Sequence, residues 1–159
     1  MTLAVDTNIL VELLRGSGGL YRERLNQTRA AQNPVCISSL VLHELLVGGL
    51  RSGCPQYHLD RIGDLAAAFD VDPWTAEDAF MAARVRADLD RAGQPIGLVD
   101  GLIAGHALRR EAVLVTRNLR HFFRPGTVLD QLRLIDWTIS DQPLDRPALI
   151  ASLRRPQEE

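Results

Sequence analysis

The sequence predicts an α/β fold, a central parallel sheet of about five strands with helices packed on both faces. Three observations lead there. Short apolar runs alternate with longer helix-forming stretches, and no hairpin turn joins two successive apolar runs. A length of 159 residues suits one sizeable core rather than two. A content of 46% hydrophobic and 24% charged residues is that of an ordinary globular domain, with no repeat or low-complexity segment.

The elements follow in order. Leu3-Ala4-Val5 ends in Asp6-Thr7-Asn8, the pattern of a strand, a turn and a helix start. A helix over residues 9–15 is stopped by Gly16, Gly18 and Gly19. Residues 20–32 carry helix formers until Asn33-Pro34 breaks them. Val35-Cys36-Ile37 reads as a second buried strand, and Ser38 and Ser39 are candidate caps for a helix over 40–50. Pro55 opens a helix over 56–69, with a short third strand at 69–71. Thr75 caps a long helix over 76–91, closed by Gly93 and Pro95. Residues 99–110 form the next helix, 112–116 the fourth strand and 132–135 the fifth. Residues 1–137 thus make the domain. Residues 138–159 make an extension in which Asp145-Arg146-Pro147 caps one short helix over 148–155, followed by a disordered end.

Charge and cysteine usage exclude several classes. The formal net charge is −2, so any nucleic-acid surface is a local patch offset by acids elsewhere. All 18 basic side chains counted as Lys or Arg are Arg, which removes chemistry that depends on an amine. Cys36 lies in an apolar run and reads as core; with Cys54 it makes no disulfide framework and no zinc spacing. The N-terminus lacks a signal peptide and no apolar run is long enough to span a bilayer, so a cytoplasmic protein without a membrane partner is expected.

The chemistry lies in acids placed at element ends. In a parallel sheet, ligands gather beyond the carboxyl ends of strands. Asp6 stands there, although Asp6 or Asn8 is equally a natural helix cap. Glu44 sits in Leu40-Val41-Leu42-His43-Glu44-Leu45-Leu46-Val47, a helix apolar almost all round, where a buried carboxylate needs a partner or a metal. Its alternative is the one wet edge of that helix. Asp100, in Val99-Asp100-Gly101-Leu102, falls in a first helical turn, where the macrodipole favours an acid in any case. Thr116-Arg117-Asn118 follows the fourth strand, as a turn or as part of the same cleft. Gathered carboxylates raise one another's pKa unless a cation neutralises them, and an oxygen-only set selects Mg²⁺ or Mn²⁺.

Four stretches together resemble the signatures of the PIN-domain family, most nearly its VapC-type toxins, from about residue 3 to residue 137. They are Leu3-Ala4-Val5-Asp6-Thr7-Asn8-Ile9-Leu10, Ser38 to Leu45, Pro95-Ile96-Gly97 through Ala104, and Leu114-Val115-Thr116-Arg117-Asn118. The resemblance implies a three-layer α/β/α PIN-like domain and a Mg²⁺- or Mn²⁺-dependent endoribonuclease that cuts structured RNA of the tRNA or rRNA class. Asp6, Glu44 and Asp100 match the family's acidic metal-binding positions. The region of Asn118 matches a fourth position that is often acidic; Asn adds no charge but orients a water, and the choice between one and two metals stays open. Thr7, Asn8 and Thr116 support this set, and Arg117, Arg120, His121 and Arg124 would bind RNA, with Arg109 and Arg110 nearby, of which at least one is read instead as a charge complementing a helix C-terminus. Phe122 or Phe123 would stack on bases or enter the core. The resemblance further implies a toxin held by a cognate antitoxin, as a homodimer or a toxin–antitoxin hetero-oligomer. Leu10, Leu13, Leu14, Leu46, Val47 and Leu50 would line an antitoxin groove or belong to the core. Two other readings remain. A non-catalytic PIN-like RNA-binding or scaffold protein would have Asn118 as the mark of a degraded site. A phosphotransferase with an Asp nucleophile needs a second Asp where Asn8 stands, and a cation that is usually Lys.

Overall fold

In a computed structural model, residues 1–16 and 19–154 are described, and their element order follows the alternation in the sequence. β1 (Leu3–Val5), β2 (Val35–Ser38), β3 (Asp70–Asp72), β4 (Val113–Val115) and β5 (Leu134–Ile135) form one sheet in the order β3-β2-β1-β4-β5. Every pairing is parallel, with Leu3 beside Val35 on one side and Val113 on the other. All residues of β1, β2, β4 and β5 are buried although their side chains alternate between faces, so helices cover both faces of the sheet. The α/β expectation is met. β3 is the exception: an edge strand with exposed Asp70 and Val71, whose acids blunt an open edge.

The helices are α1 (Thr7–Arg15), α2 (Gly19–Ala30), α3 (Ser39–Leu50), α4 (Pro55–Ala66), α5 (Ala76–Arg91), α6 (Leu98–Arg109), α7 (Leu119–Phe122) and α8 (Arg146–Leu153). Asp6 caps α1 through the Thr7 N–H, so this helix starts two residues before the expected position 9. It ends at Gly16 in the left-handed region, φ 79°, while Gly18, expected to share in the stop, lies outside the described residues. Ser38 caps α3, and Thr75 and Asp78 form a full capping box on α5. α4 stops at Ala66, three residues short of expectation, and β3 sits one residue later than expected.

α5 and α6 make the closest helix pair. Gly105 permits it: a Cβ at that position would stand 2.6 Å from the Ala82 Cα. The sequence did not predict α7 or a 3-10 turn at Val128–Gln131. The latter closes the long 123–132 segment, with the Val128 N–H donating to Asp88 Oδ2 at 2.7 Å. Beyond buried Trp137, α8 is capped by Asp145 and docks through buried Leu149. The end expected to be disordered falls on residues 155–159, outside the described residues.

Candidate active site

β1 and β4 are neighbours in mid-sheet, at the point where strand order reverses, and the loops at their carboxyl ends open the crevice in which such sheets bind ligands. Asp6 leaves β1 there and is only 3% exposed. Its Oδ1 accepts from the Thr7 N–H at 2.7 Å; its Oδ2 accepts from Asn8 Nδ2 and from the Thr116 hydroxyl, each at 2.7 Å. Asn8 Oδ1 accepts from the Arg117 N–H at 3.1 Å, and Thr116 Oγ1 accepts from the Asn118 N–H at 3.0 Å. The Asp-Thr-Asn turn therefore clasps the loop after β4, and Asn118 becomes the N-cap residue of α7.

Two helices bring the other acids. Glu44 lies in mid-α3, where the Thr7 hydroxyl donates to its Oε2 at 2.5 Å. The expectation of a buried carboxylate is corrected here: only Val41, Leu45 and Gly49 of α3 are buried, and Glu44 is half-buried beside the helix's wet edge. Asp100 occupies the first turn of α6, half-buried, with Oδ2 2.9 Å from His121 Nδ1.

The three acids feel one another. Burial pushes the Asp6 carboxyl above its ordinary value; hydrogen bonds from Thr116 and the Thr7 N–H pull it down, and the charges of Asp100 and Glu44 push it up again. The groups that hold Asp6 are a hydroxyl, an amide and a backbone N–H, while its named charged neighbours are both negative. Among the described residues no three acidic, imidazole or thiol side chains stand as a ready-made cage. The donor set nevertheless fits a hard divalent cation: oxygen ligands from three elements around a buried carboxylate that forms no ion pair among the described residues.

The basic rim is more occupied than the sequence suggested. Arg117 is exposed and pairs with Glu12 at 3.0 Å. Glu12 was missed, although it follows Asn8 by one helical turn on the same face, a spacing that points to it. Arg120 donates to the Leu153 carbonyl of α8, and Arg124 to the Arg120 carbonyl. Phe122 is fully buried and Phe123 half-buried, so Phe122 belongs to the core.

Arg109 and Arg110 are not beside the acids; they stand at the opposite end of α6. Each reaches Asp78 Oδ1 at 2.6 Å, and Arg110 also pairs with Asp72 at 2.8 Å. Burial would raise the Asp78 carboxyl, but hydrogen bonds from Arg109, Thr75 and Arg110 outweigh it and hold the group well below the usual carboxylate range. Beside them His106 is buried and stacked with Trp74, and desolvation, assisted by the Arg110 charge, holds its imidazole down at about 4. This cluster fastens α5, α6 and the β3 edge together.

Comparison with known proteins places this arrangement. The family model described as PIN domain matches residues 3–126. A protein of Shigella flexneri named tRNA(fMet)-specific endonuclease VapC is 37% identical over 134 residues, which cover 84% of this chain and 96% of that protein. Among solved structures, VapBC2 from Rickettsia felis bound to a promoter DNA fragment matches with a TM-score of 0.79 and 30% identity, covering 86% of this chain and 99% of that one. DNA-bound VapBC from Salmonella typhimurium matches with a TM-score of 0.76 and 34% identity, covering 86% and 98%.

Proposed function

The chain belongs to the PIN-domain family, among its VapC ribonucleases, and from that membership we propose that it is the toxin of a toxin–antitoxin pair, an endoribonuclease that hydrolyses structured RNA of the tRNA or rRNA class. PIN-domain nucleases are generally dependent on a divalent metal. The observation that carries the reading is Asp6: a carboxylate 3% exposed, raised by burial, with two further acids as its charged neighbours. Asp6, Glu44 and Asp100 would hold Mg²⁺ or Mn²⁺, which when bound polarises a phosphoryl oxygen and lowers the pKa of water.

The chain's own residues do the rest. Thr7, Asn8 and Thr116 fix Asp6 in one orientation before any RNA arrives, and Thr7 also orients Glu44. Asn118, half-buried beside Thr116, orients the attacking water through its side-chain amide. Attack in line with the 3′-oxygen leaves a 3′-hydroxyl and a 5′-phosphate. Arg117 is well placed for the RNA backbone, because its guanidinium reaches the surface above its less exposed partner Glu12 and keeps donors for a phosphate. Arg120, His121 and Arg124 line the same loop, with part of their hydrogen-bonding capacity already committed within the protein.

A cognate antitoxin is the expected partner, as in the VapBC complexes. Of the apolar residues considered for its groove, Leu10 and Leu13 are core, while Leu14, Leu46 and Val47 are half-buried and Leu50 is 59% exposed. A second copy of this chain has another surface. Phe80 and Leu98 are 75% and 63% exposed, and Leu98 lines a cavity of about 330 Å³ together with Trp74, Ala79, Ala83, Ile96 and Leu102. The reading places the protein in the cytoplasm; among the described residues no helix is long and apolar enough to cross a membrane.

Asp6→Asn tests the proposal. Cleavage of cellular RNA in Mg²⁺ should fall at least ~100-fold, because the amide keeps the shape but loses the charge that attracts the cation. Thermal stability should hold or rise, since a buried negative charge is removed. Full cleavage by this variant would remove Asp6 from the site, whereas no cleavage of any cellular RNA by the unaltered chain would leave the scaffold reading in its place.

A further inference from the structure

We infer that His121 is the positioning residue of Asp100, holding that carboxylate in the one orientation that presents its second oxygen to the cation. The inference rests on the metal-site reading above. Asp100 Oδ2 is confined from two sides. On one side His121 Nδ1 lies 2.9 Å away. On the other lies the bare Cα of Gly97, where a Cβ would stand 3.0 Å from Oδ2 and 3.7 Å from Cγ. The carboxylate is folded back over the start of its own helix, into a notch that any larger residue at 97 would narrow.

The turn that carries the imidazole is itself anchored. α7 is a single turn whose Leu119 and Phe122 are buried, which leaves Arg120 and His121 on its outer side. The His121 N–H donates to the Asn118 carbonyl at 2.9 Å, and the Arg120 guanidinium is bound to the Leu153 carbonyl of α8. A side chain on a turn fixed at both ends is a better clamp than one on a free loop. A carboxylate can only accept, so the contact is made by the tautomer of His121 that carries its proton on Nδ1. His121 thereby does for Asp100 what Thr7 does for Glu44 and what Asn8 and Thr116 do for Asp6. Each acid has its own neutral or weakly basic orienting donor, the outer support that metal ligands characteristically need.

Mn²⁺ binding by the full chain without RNA, followed by electron paramagnetic resonance of the free ion, tests this. His121→Ala should weaken Mn²⁺ affinity by roughly 10- to 100-fold. His121→Asn should recover most of it, because its amide nitrogen lies where Nδ1 lies, whereas His121→Gln places its nitrogen at the Nε2 position and should not. Cleavage by His121→Ala should return as Mg²⁺ is raised, with KM for RNA unchanged. Equal Mn²⁺ affinity in all three variants, or recovery by Gln and not Asn, overturns the assignment. Unchanged Mn²⁺ affinity with a raised KM for RNA also overturns it, and makes His121 an RNA contact. No Mn²⁺ binding by the unaltered chain overturns the metal-site reading and this inference together.

Discussion

Single residues carry most of the chemistry, and they were unevenly legible. Asp6, Thr7, Asn8, Thr116 and Asn118 were found because position after a strand is a geometric statement: a parallel sheet delivers those residues to one edge. The His121–Asp100 contact was not, since it joins residues 21 apart across a helix end and a strand, and no periodicity encodes it. Proximity along the chain to Arg117 put Arg109 and Arg110 in a basic cluster, but their alternative as helix-end charges holds: both stand at the C-terminal end of α6, with β4 between them and Arg117. Buried His106 lies beside their cluster with Asp78, which gives a pH prediction. The His106 imidazole titrates at about 4 in the fold against an ordinary 6.5. The native state therefore binds fewer protons than the unfolded one between those values, so stability is complete above about 6.5 and drains as pH falls toward 4, by at most about 3 kcal/mol. Thermal melts from pH 7 to 4.5 should show this decline in the native chain and a shallower one in His106→Leu; identical slopes would remove His106 as the cause.

At the scale of elements, long segments announced themselves and short ones did not. α5 carries a capping box and 16 residues of helix formers, and both ends matched expectation. α7 and the 3-10 turn have four residues each, too few for an apolar period to show. α4 was drawn too long because Ala67 and Ala68 contain no stop signal; tertiary packing, with Phe69 buried, ends it instead. The α5–α6 crossing rests on Gly105, and no local pattern in the sequence names Ala82 as its neighbour. Gly105→Ala should test how tightly it is held: a methyl group 2.6 Å from the Ala82 backbone must force the helices apart, at a cost of about 1–3 kcal/mol. Because α6 also carries Asp100, cleavage should fall more than the loss of folded protein explains, as read by activity per folded molecule. A melting temperature equal to that of the native chain would show that the pair yields freely.

For the whole molecule, charge and apolar surface set what it meets. A formal net charge of −2, with Arg in place of any Lys, gives local cationic forks rather than a general attraction to nucleic acid. The exposed Phe80 and the cavity-lining Ala79 and Ala83 belong to the same helix, α5, and would serve as knob and socket of a twofold dimer. Phe80→Glu should shift the mass measured by light scattering from two chains to one; an unchanged dimer would move the interface elsewhere. α8 lies past residue 126, where the family match ends, yet its last carbonyl holds Arg120, the neighbour of His121. The tail thus acts as a remote latch. Amide protons of α7 should exchange with deuterated water only as often as α8 peels away, so a bulky fusion at the C-terminus would loosen the catalytic edge from some distance without touching it.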